Sequence, residues 1–137
     1  MSDWNAKIIE EFRANAGNVG GFFADKTVLL LHTTGARSGL ARLTPLVYRQ
    51  EGGRIFVFAS KGGSDSHPDW YHNLKANPAV RVEIGTDTVP AAAVEIVGDE
   101  RDAVYGRQAA SIRNFADYQT ATDRVIPVVE LVVGETG

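Results

Sequence analysis

The sequence predicts a small α+β barrel in a single domain. Six strand-like segments are joined mostly by short turns, and helical segments are inserted between them without regular alternation, in a chain of 137 residues. A doubly wound sheet needs regular strand–helix alternation, whereas mostly antiparallel strands with inserted helices are typical of α+β architectures. A chain of this length suits one hydrophobic core.

The first predicted element is a helix within residues 2–17, which Ser2 or Asp3 can cap. Its apolar residues fall on one helical stripe: Trp4, Ile8, Ile9 and Phe12. We expect this stripe to pack on its own domain. The alternative is a helix that lies on a membrane surface or on a partner subunit.

Three strands follow, over residues 27–34, 42–50 and 54–60. The run TVLLLHTT is apolar almost throughout, which indicates a strand buried on both faces. The run RIFVFAS is rich in β-branched and aromatic residues. Pro45 lies inside the second strand, and because proline donates no ladder hydrogen bond, that strand is predicted to lie at an edge or to bulge there.

A glycine-rich loop then leads into a short helix from about Pro68 to Ala76. Ser66 is the predicted cap of this helix, and Pro68 suits its first turn. The pair Asn77 and Pro78 should end it. Trp70 and its aromatic neighbour are more typical of a core than of a ligand platform.

The remaining segments are two strands, a helical region and a last strand. Residues 79–85 alternate cleanly, and residues 86–97 read as a strand in which Pro90 again indicates an edge. Residues 98–124 have helical spacing, with a break predicted near Arg113 and Asn114. Residues 125–133 form the predicted last strand.

Composition excludes several classes of function. The formal net charge is −3, so the global basic field of a nucleic-acid-binding protein is absent. The chain contains no cysteine, which excludes disulfides and thiolate chemistry. His32, His67 and His72 are too scattered to predict a metal site, and His32 reads as a satisfied strand histidine. The chain lacks a signal-like start and a membrane-length apolar run, so a cytoplasmic location is expected.

The turn TTGARSGLAR, residues 33–42, carries more charge than a hairpin needs. Backbone N–H groups in a glycine turn can form an anion cradle. Arg37 and Arg42 can bind a phosphate or carboxylate in a bidentate manner, and Ser38 adds a hydroxyl donor. The turn matches neither a Walker loop nor a dinucleotide fingerprint. From these residues alone, an anion site and a solvated hairpin are equally good interpretations.

A second glycine loop, FASKGG, follows the buried third strand. Ser60 and Lys61 lie where this strand ends, and loops in such positions often carry function. Gly62 and Gly63 allow close approach of the backbone to a ligand, although an ordinary turn would use the same residues. The chain offers no apparent nucleophile or acid pair, which suits a protein that takes its chemistry from an anionic cofactor.

Four blocks of the chain, taken together and in order, resemble one family. They are TTGARSGLARLTPLVY, FASKGG, PDWYHNLKANPAVRVEIG and YQTATDRVIPVVEL, and they span most of residues 28–131. The chain is similar here to the deazaflavin-dependent nitroreductases, also called coenzyme F420-dependent quinone reductases, which are known mostly from actinobacteria. The resemblance implies a split β-barrel related to FMN-binding oxidoreductases, over residues 26–137, preceded by an N-terminal helix and linker over residues 1–25.

The resemblance also implies where coenzyme F420 binds. The positions that match the site for its phosphate and poly-glutamate tail are Arg37, Ser38, Gly39 and Arg42, with Lys61 beside them. The strand along the deazaflavin ring corresponds to Pro45, Leu46 and Val47, and the loop at its reactive edge to Ser60, Lys61 and Gly62. The short helix that closes the pocket contributes Trp70 and Asn73, and Tyr118 matches an aromatic position over the acceptor.

The implied activity is hydride transfer from reduced F420 to a small electron acceptor, with a proton from solvent or through Ser60 or Tyr118. Ile112 and Phe115 stand where nitro-reducing members carry tyrosines, so a quinone-like acceptor is favoured over bulky nitro compounds. The alternatives are an FMN- or haem-binding barrel protein and a non-catalytic F420-binding protein. A homodimer is expected, as is a peripheral contact of the N-terminal helix with the inner face of the plasma membrane.

Overall fold

The computed structural model describes residues 3–20 and 27–133, and within these ranges it contains four helices and six strands. The helices are α1 (Asp3–Ala14), α2 (Asp69–Ala76), α3 (Gly98–Ser111) and α4 (Arg113–Thr120). The strands are β1 (Val28–Thr34), β2 (Ala41–Glu51), β3 (Arg54–Phe58), β4 (Ala79–Ile84), β5 (Asp87–Ile96) and β6 (Val128–Val133). A 3₁₀ turn, Lys61–Gly63, follows β3.

The strands form a closed barrel in the order β1-β2-β3-β6-β5-β4, and every pair of neighbours is antiparallel. This confirms the predicted α+β barrel and each of the six predicted strands. Closure removes the free outer strands that an open sheet would expose. The predicted domain boundary at residue 25 lies outside the described residues.

The two prolines inside strands lie where a strand has a neighbour on one side only. Pro45 of β2 pairs with Leu30 of β1, whereas the ladder between β2 and β3 begins at Tyr48. Residues 41–47 of β2 therefore present a free edge toward β3, and the missing proline N–H costs no bond on that side. Pro90 of β5 lies one residue before the ladder to β6 begins. The predicted edge positions are confirmed: although the barrel is closed, Pro45 and Pro90 are each paired with a neighbouring strand on one side only.

Apolar side chains bury themselves in three clusters. The barrel interior is filled from alternate positions of the strands, including Leu29 and Leu31. Helices α3 and α4 cover an outer cluster around Phe56 and Phe58. The third cluster joins α1 to the outer face of β1, where Val28 and Leu30 lie. Strand β1 is thus buried on both faces, as its sequence predicts.

The apolar stripe of α1 packs on its own domain. Ile8, Ile9 and Phe12 are buried and contact Val28 and other members of the third cluster. The side chain of Trp4, the fourth predicted member of the stripe, lies outside the described parts of the chain. The first of the two interpretations of this helix is therefore confirmed for the three described residues.

One predicted cap is wrong. Helix α2 begins after Pro68, whose side chain makes no capping bond, and Ser66 lies outside the helix. The Ser66 hydroxyl instead accepts a hydrogen bond of 3.2 Å from Lys61 Nζ. The predicted break in the later helical region is confirmed, and it lies at Ile112. Among the described residues, none of the helices has the length and apolarity needed to cross a membrane.

Candidate functional site

The turn between β1 and β2 is tightly closed by its own backbone. Gly35 N–H donates to Leu40 O at 2.8 Å, and Gly39 N–H donates back to Gly35 O at 3.0 Å. Gly39 has a φ of +70°, which favours glycine. A Cβ at Gly35 would lie 2.5 Å from Ser38 Oγ, so a side chain there would force the Ser38 hydroxyl to move. The two glycines therefore shape the backbone of the turn, and the charged side chains of Arg37 and Arg42 take no part in closing it.

Several donors of this turn have no partner among residues 3–20 and 27–133. The backbone N–H groups of Arg37 and Ser38 make no hydrogen bond there, whereas the Ser38 hydroxyl accepts one from Leu40 N–H. Arg37 and Arg42 are exposed and form no ion pair with a described carboxylate. Two guanidinium groups and two free amides thus lie in one short stretch, which is the composition of an anion site.

Helix α2 is hydrogen-bonded to this turn. Asn73 is buried, and its side-chain oxygen accepts a hydrogen bond of 2.9 Å from Ala36 N–H. The amide nitrogen of Asn73 donates to Thr33 Oγ1 at 3.5 Å. Trp70 and Leu74 of the same helix are buried in the barrel core. The cationic turn is thereby attached to a helix that is anchored in the barrel core.

Two grooves lie beside the turn. The first has a volume of about 670 Å³ and the second of about 530 Å³. The two grooves are adjacent, because three residues line both of them: Arg42, Asp69 and Asn73. The first groove is also lined by Gly35, Ala36, Arg37, Ser38 and His72. The second is also lined by Asn5, His32, Ala41, Leu43, Thr44 and Trp70.

Sequence reasoning missed several residues of these grooves. Asp69 and His72 are three positions apart on α2, next to Asn73. Helical spacing places such residues on one face, so the predicted Asn73 could have led to both. His32 and Thr44 are brought in by the β1–β2 ladder and carried no such local signal.

A different part of the structure holds the loop after β3. The guanidinium of Arg124 donates to three backbone oxygens: those of Ala59 at 3.0 Å, Ser60 at 2.7 Å and Ser64 at 2.7 Å. It also lies 3.1 Å from His67 Nδ1. Burial, reinforced by Arg124, lowers the pKa of His67 and favours its neutral form. Arg124 lies within the last of the four family-like blocks, and the sequence predicts no role for it.

The 3₁₀ turn packs directly on α4. A Cβ at Gly63 would lie 2.9 Å from the backbone oxygen of Tyr118, so only glycine fits this contact. Lys61 has a φ of +47°, which is an uncommon conformation for a residue with a side chain. The ring of Tyr118 lies edge-on to Phe115 at 5.3 Å, and Phe115 is itself buried.

The predicted site residues therefore fall into two groups. Arg37, Ser38, Arg42, Trp70 and Asn73 line the grooves. Ser60, Tyr118 and the Lys61–Gly63 turn gather around α4 and Arg124, and the described lining of the two grooves does not include them.

The remaining predicted residues lie in or beside the turn and the free edge. Gly39 belongs to the turn itself. Pro45, Leu46 and Val47 are half-buried on the free edge of β2, where Leu46 packs against the interior cluster and Val47 against the two outer clusters.

His32 has a charged partner, which confirms the prediction of a satisfied strand histidine. Its Nε2 lies 2.6 Å from Glu83 Oε2, and Glu83 also accepts a hydrogen bond of 2.7 Å from Arg13. The hydrogen bond from Arg13, opposed by burial and aided by His32, lowers the pKa of Glu83. In the described residues no cluster of three or more potential metal-ligating side chains is found.

Comparison with known proteins identifies the family. The model of the F420H(2)-dependent quinone reductase family matches residues 4–133. An F420H(2)-dependent quinone reductase of Mycobacterium tuberculosis strain H37Rv is 41% identical over 106 residues, which cover 75% of this chain and 71% of that protein. A solved structure of an F420-H2 dependent reductase, FDR-A, is 43% identical with a TM-score of 0.69, and covers 76% of this chain and 92% of that one.

Two further structures extend the likeness. One, titled as a domain-swapped dimer, is 38% identical with a TM-score of 0.71, over 94% of this chain and 97% of that one. The heme storage protein HutZ from Vibrio cholerae shares the fold at 18% identity and a TM-score of 0.60, over 94% of this chain and 89% of that one. The split-barrel fold and the family resemblance inferred from the four sequence blocks are confirmed: the chain belongs to the F420H(2)-dependent quinone reductase family.

Proposed function

We propose that this chain reduces a quinone-like acceptor with electrons from reduced coenzyme F420. The observation that carries the proposal is the cationic lining of the first groove, where Arg37 and Arg42 lie beside the free N–H groups of Arg37 and Ser38. Family membership supplies the class of reaction.

The donor set fits a polyanionic ligand. Coenzyme F420 carries a phosphodiester and several carboxylates, which require cations and backbone donors in one place. Arg37 and Arg42 supply the charge, and Asn73 fixes the backbone that presents the free amides. Asp69 also lines both grooves, and its carboxylate would repel an anionic tail. We therefore assign the tail to the Arg37 side of the first groove.

Bound reduced F420 would supply a hydride from its central ring carbon. The chain's own residues would bind, orient and exclude water. The free edge of β2, with Pro45, Leu46 and Val47, is the proposed wall for the ring system, and Trp70 contributes an apolar surface to the second groove. Ser60 and Tyr118 are proposed to orient the acceptor, and Arg124 holds the backbone of Ser60 for that purpose.

A quinone-like acceptor suits the α4 region better than a bulky nitro compound. Phe115 is buried in the outer cluster, and Ile112 is a partly buried member of the same packing. Neither offers a hydroxyl to a polar acceptor. Within α4, Tyr118 is the phenol left for that role.

The oligomeric state and the cellular location of the protein are further parts of the proposal. A homodimer is supported by the likeness to the structure titled as a domain-swapped dimer. A membrane contact of α1 would have to use its exposed polar face, because Ile8, Ile9 and Phe12 are buried within the domain. Placement at the inner face of the plasma membrane therefore stays a prediction.

Titration of the purified chain with F420 and, separately, with FMN tests the proposal. We expect tight binding of F420, weak binding of FMN, and oxidation of F420H2 when menadione is added as the quinone. Binding of FMN alone would keep the fold and overturn the cofactor assignment. Tight binding of F420 without turnover by any quinone would identify a non-catalytic F420-binding protein.

A further inference from the structure

The guanidinium of Arg124 uses four of its five N–H donors to hold the loop after β3. Three of these donors bind the backbone oxygens of Ala59, Ser60 and Ser64. The fourth is directed at the ring of His67, with Nη1 3.1 Å from Nδ1. Because an arginine has no acceptor, Nδ1 of His67 accepts this bond and carries no proton. His67 is thus the one side chain, among the described residues, to which this guanidinium donates.

The residues around Arg124 are bound to the same loop a second time. The hydroxyl of the buried Thr122 donates to Asp65 Oδ1 at 2.8 Å and accepts from the backbone N–H of Arg124 at 3.2 Å. Within the loop, Lys61 has a φ of +47°. A residue with a side chain keeps such a conformation only where the surrounding contacts maintain it. The contacts of Thr122 and Arg124 therefore determine where Ser60 lies.

The ring of His67 is itself held against α2. Its centroid lies 4.7 Å from that of Tyr71 and 5.8 Å from that of His72. His72 lines the first groove, where the cofactor is proposed to bind. His67 is half-buried between this helix and the guanidinium that holds Ser60. It can therefore influence the loop without contacting either the cofactor or the acceptor.

The surroundings of His67 favour its neutral form. Burial, and then the neighbouring Arg124 and His72, lower its pKa. Glu95 of β5 has the opposite effect, which is smaller. The other charged or titratable side chains beside the cavity that His67 shares with Glu95 are Tyr71 and Lys75 of α2, which bind Glu95, and Arg101 and Asp102 of α3, which bind each other. With the pKa lowered, Nδ1 stays free to accept the bond from Arg124 until the pH falls below the ordinary histidine range.

We propose that His67 is a positioning residue for the reaction, whose neutral imidazole holds the Ser60 loop in place through Arg124. This inference rests on the proposed function, in which Ser60 orients the acceptor. Protonation of Nδ1 would direct two N–H donors and two positive charges at each other, so the guanidinium would lose one of its acceptors. Turnover should therefore decrease as pH falls through the titration of His67, whereas binding of F420 at Arg37 and Arg42 should change little.

The first test follows the loop and requires no turnover. In the isotope-labelled full chain, the ring of His67 is titrated together with the backbone amides of Gly63 and Ser64, which donate within the loop at 3.0 Å and 3.1 Å. We expect the two amide signals to move with the titration midpoint of the His67 ring. This movement should be lost in His67→Asn, because an asparagine oxygen can accept the bond from Arg124 without titrating.

His72→Asn is the matched control for this titration. The ring of His72 packs on His67, but His72 is not among the partners of the Arg124 guanidinium. The movement of the Gly63 and Ser64 amides should therefore remain in this variant. Amide signals that do not follow the His67 ring, or that still move in His67→Asn, would overturn the proposal whether or not the chain is an active reductase.

The second test is the pH dependence of menadione reduction at saturating F420H2. The wild-type kcat should decrease on the acid side with the midpoint of the His67 ring, and His67→Asn should lack this decrease. His67→Leu offers no acceptor and should be roughly tenfold slower at every pH with unchanged affinity for F420, because a small displacement of an orienting group lowers the rate. His67→Asn should be faster than His67→Leu, a rescue that loss of packing alone does not predict.

Equal pH profiles in the wild type and His67→Asn, or equal rates in His67→Asn and His67→Leu, would contradict the role of the neutral ring as an acceptor. If the wild-type protein does not oxidise F420H2 at all, the proposed function fails. The titration of the loop amides then still decides whether His67 holds the loop, so the two failures are distinguishable.

Discussion

The side-chain oxygen of Asn73 on α2 accepts a hydrogen bond of 2.9 Å from the backbone N–H of Ala36 in the β1–β2 turn. This bond joins two elements that are 37 positions apart in the chain. It satisfies an N–H beside the two free amides of Arg37 and Ser38, and so determines which donors remain for a ligand. The core that anchors α2 through Trp70 and Leu74 thereby positions the cationic turn.

Asn73→Ala should destabilise the fold and weaken F420 binding together. Removal of the acceptor leaves Ala36 N–H without its partner, which costs about 1–3 kcal/mol of unfolding free energy. Urea unfolding and F420 titration measure the two effects. Asn77→Ala is the control, because Asn77 makes only a longer bond of 3.4 Å, to Thr34 O. Equal losses in both variants would contradict the specific role of Asn73.

Arg37→Ala combined with Arg42→Ala should weaken F420 binding by at least roughly 100-fold, because hydrogen bonds to charged groups contribute about 1.5–3 kcal/mol each. The remaining affinity should depend less on salt. Isothermal titration at two ionic strengths measures both quantities. The control, Lys7→Ala with Arg113→Ala, removes the same charge from exposed residues outside the grooves. If the control loses as much affinity for F420, the overall charge of the protein and not the β1–β2 turn is responsible for the binding.

Ser60→Ala should lower turnover roughly tenfold and leave F420 affinity nearly unchanged. The loop backbone is held by Arg124 through the carbonyl of Ser60, so loss of the hydroxyl should not displace it. Steady-state rates with menadione, together with F420 titration, separate the two effects. Ser64→Ala removes a hydroxyl from the same loop and should be neutral. A Ser60→Ala variant with normal turnover would show that Ser60 only shapes the loop.

Acid should destabilise the protein partly through Glu51. Hydrogen bonds from Arg107 and then Arg49 lower the pKa of Glu51 to about 2. A depressed pKa gives stability that is present above the unfolded pKa and is lost as pH falls toward the folded value. Between about pH 5 and 2 the wild type should therefore lose more unfolding free energy than Glu51→Gln.

After allowance for solvent screening, the Glu51 contribution at pH 7 should be about 1 kcal/mol. Urea unfolding at a series of pH values measures it. Glu100→Gln is the control, since Glu100 is 52% exposed and accepts a single bond from Arg54. The same pH dependence in wild type and Glu51→Gln would show that the ion pairs of Glu51 contribute nothing to acid stability.

The sequence by itself determined the elements and the class of ligand. Strand and helix periodicity, the edge positions of Pro45 and Pro90, and the break at Ile112 are local properties of neighbouring residues, and each was found. The cationic turn was found for the same reason, because Arg37 and Arg42 belong to one short stretch. The resemblance implied only that Asn73 lies on the helix that closes the pocket, and the structure supplied its bond to the turn.

Only the tertiary structure decided which distant side chains meet. His32 and Glu83 are 51 positions apart, and Arg13 and Glu83 are 70 apart. Arg124 donates a hydrogen bond to Ser60 O across 64 positions. The predicted cap Ser66 accepts a hydrogen bond from Lys61 and does not cap α2. Such pairs form because the strand pairings of the closed barrel bring β1 beside β4. They also bring the residues that precede β6 beside the loop that follows β3. No local pattern encodes that closure, since it follows from the sum of all strand pairings.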